Sequence, residues 1–452
     1  MKTYDLFVLG GGTAGMTVAR AAAARGWKVG VAESRFLGGT CVNVGCIPSK
    51  TLIYTARLMH MINSADDYGI SSGKPEADWG KIIRRKNQVV EEMRSGGYSS
   101  VESNDNLILY RGEAAFVGPD RISVDGEQLQ AKRILIATGA RPNIPPIPGL
   151  DKSNYLTSTT AMELEQLPQS LLIIGGGIIA VEFAQMFARF GVKVTILDRE
   201  DTIANRLEPE ISRELQETLE SEGVEVLTSI DISEVSGSGP VTVKAKREGE
   251  ELSLTAERVL VATGRAPNTD SLDLPAAGVE TDSRGYVTTD EQFATNAENI
   301  WAAGDVTGGA MFTHKAWHDG FILSRHLITG EAISNKDRLI PFAVFTDPEV
   351  GGIGLGEEEA RQAGHDVKIQ SYPYDYGGRA RAIGQRRGFV KLVTEKTDGR
   401  ILGAHIFGAQ AGEIIHELVM AMRFEATVHD LQDMMHIHPT LAEAINSAGL
   451  ST

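Results

Sequence analysis

The stretch YDLFVLGGGTAGMTVARAAAARGWKVGVAE, residues 4–33, decides the fold. An apolar strand runs into a glycine turn, an alanine-rich helix follows, and a second strand closes on an acid. Gly10, Gly12 and Gly15 fall at the three positions of G-x-G-x-x-G, and Glu33 ends the second strand. Each position has a physical task. The first glycine makes the tight turn, the second lets a pyrophosphate approach the backbone, and the third packs helix on strand. The helix N-terminus then faces the phosphates. The terminal acid can hydrogen-bond a ribose diol.

The pattern recurs. SLLIIGGGIIAVEFAQMFARFGVKVTILD, residues 170–198, puts Gly175, Gly177 and Ala180 at the fingerprint positions. Asp198 stands as far from Gly175 as Glu33 does from Gly10. A second pair of repeats supports the first: ILIATGARPN, residues 134–143, matches VLVATGRAPN, residues 259–268. Each reads as a buried strand running into a glycine turn, with Thr138, Gly139 and Gly264 in the turns and a proline after them. These repeats predict an α/β protein with two Rossmann-like nucleotide-binding domains, the second inserted in the first.

Boundaries follow from composition. The proline-rich ARPNIPPIPGLD, residues 140–151, reads as the crossing into the second domain, and GRAPNTD, residues 264–270, as the way back. ENIWAAGDVTGG, residues 298–309, is another strand-to-glycine turn that sets Asp305 at a strand's carboxyl end. Beyond about Leu339, PFAVFTDPEVGGIGL, GFVKLVTEK and ILGAHIFG alternate apolar with polar residues, as antiparallel strands do. The expected partition is 1–146 for the first nucleotide domain, 147–266 for the second, 267–338 for the return to the first, and 339–452 for a C-terminal α+β domain.

The chain has 452 residues, with 44 Lys and Arg against 60 Asp and Glu, a formal charge of −16. Such a surface repels phosphate backbones and anionic membranes, which argues against nucleic acid and membrane partners. Asp5 and the early glycines break any signal-peptide pattern, and the apolar run at 171–181 is too short and glycine-broken to span a bilayer. A cytoplasmic protein is expected.

The chain's 2 cysteines lie together in GGTCVNVGCIPSK, residues 38–50. Such a pair in a reducing compartment reads as catalytic, redox-sensing or metal-binding, with half a structural zinc site or two inert buried thiols as blander readings. In a regular helix five residues rise about 7.5 Å, whereas a disulfide wants Cα atoms within roughly 4.4–6.8 Å. A Cys41–Cys46 bridge therefore requires a distorted first turn. A helix N-terminus would stabilise a thiolate there.

This cysteine segment resembles the redox-disulfide signature of the FAD-dependent pyridine nucleotide–disulfide oxidoreductases, a family that includes dihydrolipoamide dehydrogenase, glutathione reductase and mercuric reductase. The resemblance extends over both fingerprints, IATGA, VATGR, AAGDV and the terminal HIHPTLAEA. It implies FAD on the first domain, NAD(P)H on the second, and a homodimer formed through the C-terminal domain. It also implies that Cys46 faces the flavin, Cys41 exchanges with substrate, and Lys50 pairs with Glu182 near the flavin. Thr40 and Asp305 are implied to line the flavin site. His438, acting from the partner subunit with Glu443 orienting it, would exchange a proton with the substrate thiol. Pro439 after His438 predicts a helix start there. His405, His416, His429 and His436 read as structural.

Asp198 would accept hydrogen bonds from a ribose diol and repel a 2′-phosphate, so NAD(H) is expected over NADP(H). A dihydrolipoamide dehydrogenase-like activity is the leading expectation. The alternatives are a mercuric-reductase-like reductase of a metal ion, quinone or other oxidant, and a flavin-bearing electron-transfer or structural subunit whose disulfide does not turn over.

Overall fold

A computed structural model describes residues 1–451. The first fingerprint opens a five-stranded parallel sheet in the order Ile300–Ala302, Ile134–Ile136, Leu6–Leu9, Val29–Glu33, Leu107–Arg111. The second opens another, ordered Leu156–Thr157, Arg258–Val261, Ser170–Ile174, Lys193–Leu197, Glu225–Leu227. Leu6, Phe7, Val8 and Leu9 are all fully buried. Helices cover both faces of such sheets, so their central strands read as unbroken apolar runs.

The glycine turns are sterically required. Gly10 and Gly175 have φ of 110° and 105°, and a Cβ at Gly175 would lie 2.6 Å from the Ala262 carbonyl oxygen. A Cβ at Gly10 would strike the equivalent carbonyl, that of Ala137. The related strands Ile134–Ile136 and Arg258–Val261 thus press on the two fingerprints in the same way.

The crossings between the two nucleotide units run side by side. Ala140–Pro142 pairs antiparallel with Arg265–Pro267, Ala140 opposite Pro267. The late strand Ile300–Ala302 then returns to the edge of the first sheet.

The C-terminal region is a five-stranded antiparallel sheet, ordered Phe342–Val344, Glu349–Gly354, Ile401–Gly408, Phe389–Glu395, Val367–Pro373. Here the expected in–out alternation does not hold. Ile401–Gly408 is buried throughout, as are the five central residues of Phe389–Glu395. The helix Ala411–Arg423 packs on one face. On the other, buried Lys391 meets Glu208 at 2.6 Å, Glu210 at 2.8 Å and Glu357 at 3.1 Å. Polar residues in these strands face protein, and Glu208 and Glu210 tie the second nucleotide unit to the sheet. Among the described residues, no helix is long and apolar enough to cross a membrane.

Candidate active site

A cleft of about 1070 Å³ runs from the first fingerprint to the face of the C-terminal sheet. Gly10, Gly12, Glu33, Thr40, Cys41, Cys46, Lys50, Thr138, Gly139, Glu182 and Asp305 line it. Glu33 is fixed by the Gly11 N–H at 2.9 Å and the Arg35 N–H at 2.8 Å. A Cβ on Gly12 would meet nothing nearer than Gly39 Cα at 3.9 Å, which leaves room for a phosphate. At the other side, buried Arg265 Nε lacks a hydrogen-bond partner and stands 3.9 Å from Asp305. Burial raises the Asp305 carboxyl above its ordinary value. An elongated polar-and-apolar cradle with a phosphate-ready glycine turn and a buried guanidinium Nε still without a partner fits a flavin dinucleotide.

The cysteine segment breaks its helix instead of distorting it. Gly39–Asn43 forms a short helix, Val44 and Gly45 interrupt it, and Cys46–Asn63 begins a new one. A Cβ on Gly45 would lie 2.8 Å from the Thr40 carbonyl oxygen, so glycine permits this fold-back. Asn43 anchors the first helix through the carbonyls of Leu37 and Gly39, each at 2.9 Å. The break turns the two sulfurs toward each other. Both cysteines are partly buried.

Their environments push their ionisation apart. The hydrogen bond from Cys41 lowers Cys46 to about 6 against the opposing cost of burial, with help from Thr313 and the Lys50 charge. Thr313 Oγ1 lies 3.3 Å from Cys46 Sγ. Cys46 is also the first residue of an 18-residue helix, where the dipole favours an anion. Cys41 is raised by its bond to Cys46 and by burial, and keeps its proton.

Lys50, one turn beyond Cys46, donates to Glu182 at 2.7 Å. Glu182 is buried and also accepts the Phe345 N–H at 2.9 Å. This pair joins the cysteine helix to Ile178–Arg189, the helix of the second fingerprint.

Gly15, the third position of the first fingerprint, does not line the cleft, nor do Gly175, Gly177, Ala180, Asp198 and Gly264, although Ile178 and Ile179 of the second fingerprint do. Asp198 repeats the geometry of Glu33: burial raises its carboxyl, while N–H groups of Glu200, Arg199 and Gly176 counter that. Its neighbour Arg199 points to solvent and pairs with Glu200 at 2.9 Å.

His438 and Glu443 also lie outside their own chain's cleft. They do form a pair, with Nδ1 2.9 Å from Glu443 Oε1. His438 is not at a helix start. The helix is Glu443–Leu450, with Glu443 its first residue and residues 437–442 irregular. Glu443 instead reaches back to the Thr440 N–H at 2.7 Å. That bond and His438 hold its carboxyl below its ordinary value despite some burial. The imidazole is 77% exposed.

Several cleft residues carry no signal in the sequence. Thr313 and His314 open the helix Thr313–Thr329, and the His314 ring nitrogen Nε2 lies 2.7 Å from the Pro341 carbonyl. His416, expected to be structural, lines the same cleft, as does Phe345. His405 is buried and His436 pairs with Glu417 at 2.9 Å.

Two dinucleotide folds, with a dithiol at the head of a helix between them and an antiparallel domain behind, define a flavoprotein disulfide reductase. Residues 4–320 match the pyridine nucleotide-disulphide oxidoreductase family and residues 340–448 its dimerisation domain; the chain belongs to this family. It is 38% identical to a mercuric reductase of Lysinibacillus sphaericus, over 99% of this chain and 82% of that one. It is 34% identical to the dihydrolipoyl dehydrogenase of Bacillus subtilis (strain 168), over 99% and 98%. The solved structure of the HOCl-induced flavoprotein disulfide reductase RclA from Escherichia coli, in its Cu(II) complex, superposes with a TM-score of 0.91 at 32% identity, covering 100% of this chain and 99% of that one. The protein is thus an FAD-type oxidoreductase that uses a nicotinamide coenzyme.

Proposed function

We propose that the protein is a dihydrolipoamide dehydrogenase-like enzyme, exchanging electrons between NAD(H) and a small dithiol through Cys41 and Cys46. The observation that carries this reading is the His438–Glu443 pair, an imidazole with Nδ1 engaged and Nε2 free. A metal ion or outer-sphere oxidant needs no thiol proton removed; a dithiol does. We assign the pair to the partner subunit's cleft in a homodimer, because it lies outside its own. The exposed Met420, Phe424, Met434, Met435 and Ile437 support a covered face there. The domain partition at 146, 266 and 338 belongs to the same reading.

In the dithiol direction, a substrate thiol gives its proton to His438 of the partner subunit and attacks Cys41 of the disulfide. The Cys41–Cys46 bond breaks, and Cys46 leaves as a thiolate, which its lowered titration midpoint favours. The second substrate thiol attacks the mixed disulfide and releases Cys41, which takes up that thiol's proton and keeps it. The substrate leaves as a disulfide and its two electrons remain in the cysteine pair. Bound FAD supplies the two-electron link from that pair to the nicotinamide. Lys50, held by Glu182, keeps positive charge beside the Cys46 thiolate. Asp198 accepts the diol of NAD(H).

A second reading, a reductase of a metal ion or another oxidant, is favoured by the mercuric reductase similarity and the Cu(II) complex of RclA. A steady-state panel with NADH and NADPH in parallel separates the two. Dihydrolipoamide-dependent NAD⁺ reduction supports the first reading; coenzyme oxidation with Hg(II), Cu(II) or quinone and none with lipoamide supports the second.

A further inference from the structure

The helix Ile178–Arg189 turns one buried face toward a short piece of the C-terminal domain. Glu182, Gln185 and Arg189, spaced three and four residues apart, lie on that face. Glu182 accepts the Phe345 N–H at 2.9 Å. Gln185 exchanges two 2.8 Å bonds with the Asp347 backbone, and Arg189 donates to its carboxylate at 3.0 Å. Residues 345–347 are thereby fixed beside the cysteine helix. One consequence is that the Phe345 ring lies under the Lys50 ammonium, 4.6 Å from nitrogen to ring centroid.

We infer that Phe345 is a positioning residue for Lys50, holding its ammonium toward Cys46 by a cation–π contact that acts together with the Glu182 ion pair. Among the described residues Glu182 is the one hydrogen-bond partner of the ammonium. The Lys50 side chain is 32% exposed, and a lysine carries much rotamer entropy and a strong preference for water. Glu182 alone fixes one N–H of three. The ring supplies a second contact, since a cation over an aromatic face is attracted to it. The ring is itself 39% exposed and lines the cleft, so its place is not set by core packing alone. The charge held there matters because Lys50 helps keep Cys46 ionised. The other groups facing that sulfur are Cys41, Thr313 and Glu182.

This inference rests on the reading of Cys46 as the ionised thiol, but on no particular substrate. The test uses reduced holoenzyme and follows alkylation of Cys46 by iodoacetamide against pH, resolved from Cys41 by mass spectrometry. Lys50→Met should raise the Cys46 midpoint. Phe345→Leu should raise it by less, leaving about two- to five-fold less thiolate on the acid side. Phe345→Tyr should restore the wild-type profile. In the Lys50→Met background, Phe345→Leu should have no further effect, as a double-mutant cycle requires of residues acting through one contact. Phe345→Met replaces the leucine variant should that fold poorly. A leucine profile matching wild type, or equal shifts with and without Lys50, overturns the assignment of Phe345 alone. A Lys50→Met profile matching wild type overturns it together with the role of Lys50.

Discussion

Replacing His438 with alanine removes an imidazole whose Nδ1 lies 2.9 Å from Glu443, a carboxylate itself pinned by the Thr440 N–H at 2.7 Å. That arrangement fixes the tautomer and aims Nε2 outward. A positioned base of this kind contributes about 10²–10⁴-fold, or about 2.7–5.4 kcal/mol of barrier. Dihydrolipoamide:NAD⁺ turnover should therefore fall by at least about two decades. Ferricyanide reduction by NADH, which takes electrons without moving a thiol proton, should stay near wild type. Glu443→Gln should lose less, about one to two decades, because the amide oxygen can still accept from Nδ1 while the charge is gone. Steady-state rates with both acceptors on the same preparation make the comparison internal. If His438→Ala oxidises dihydrolipoamide as fast as wild type, the proton route is wrong and the metal-ion or oxidant reading takes its place.

Asp198→Ala should narrow the preference for NADH over NADPH by about one to two decades in kcat/KM, the worth of one charge-assisted contact; a wild-type enzyme more efficient with NADPH contradicts the reading of Asp198. Thr313→Val keeps the shape beside Cys46 and removes a 3.3 Å hydrogen bond to it. Cys46 is depressed to about 6, so its thiolate persists above that pH and is lost as pH falls through it. Losing a bond to the charged form moves the midpoint up, by about one pH, and the long-wavelength absorbance of the two-electron-reduced enzyme should fade at correspondingly higher pH. An unchanged or lower midpoint counts against a Thr313 bond to the thiolate.

The parts of the site that were legible in the sequence are those whose chemistry is local. A fingerprint glycine is demanded by its own φ and by the strand beside it, so Gly10 and Gly175 announce themselves. The two cysteines do so by being the whole thiol content. Lys50 and Glu182 met only through the family resemblance, since nothing in either helix points to the other. Pro439 misled because a proline can begin a helix without doing so; Glu443 satisfies the Thr440 N–H, and the helix starts there instead. Phe345 and Thr313 left no trace, because each reaches the cysteine helix only by tertiary packing. The C-terminal strands alternate in sequence, yet Lys391 and His405 are buried, since carboxylates from the second nucleotide unit and a packed backbone receive them.

In the proposed function Cys41 and Cys46 form one redox centre fed by the nicotinamide coenzyme. Because the chain holds 2 cysteines in all, a thiol count under denaturing conditions reads that centre directly. Air-oxidised holoenzyme should yield no thiol, and the same enzyme reduced anaerobically with NADH should yield two. Two thiols in the air-oxidised protein, or none gained with NADH, would contradict it.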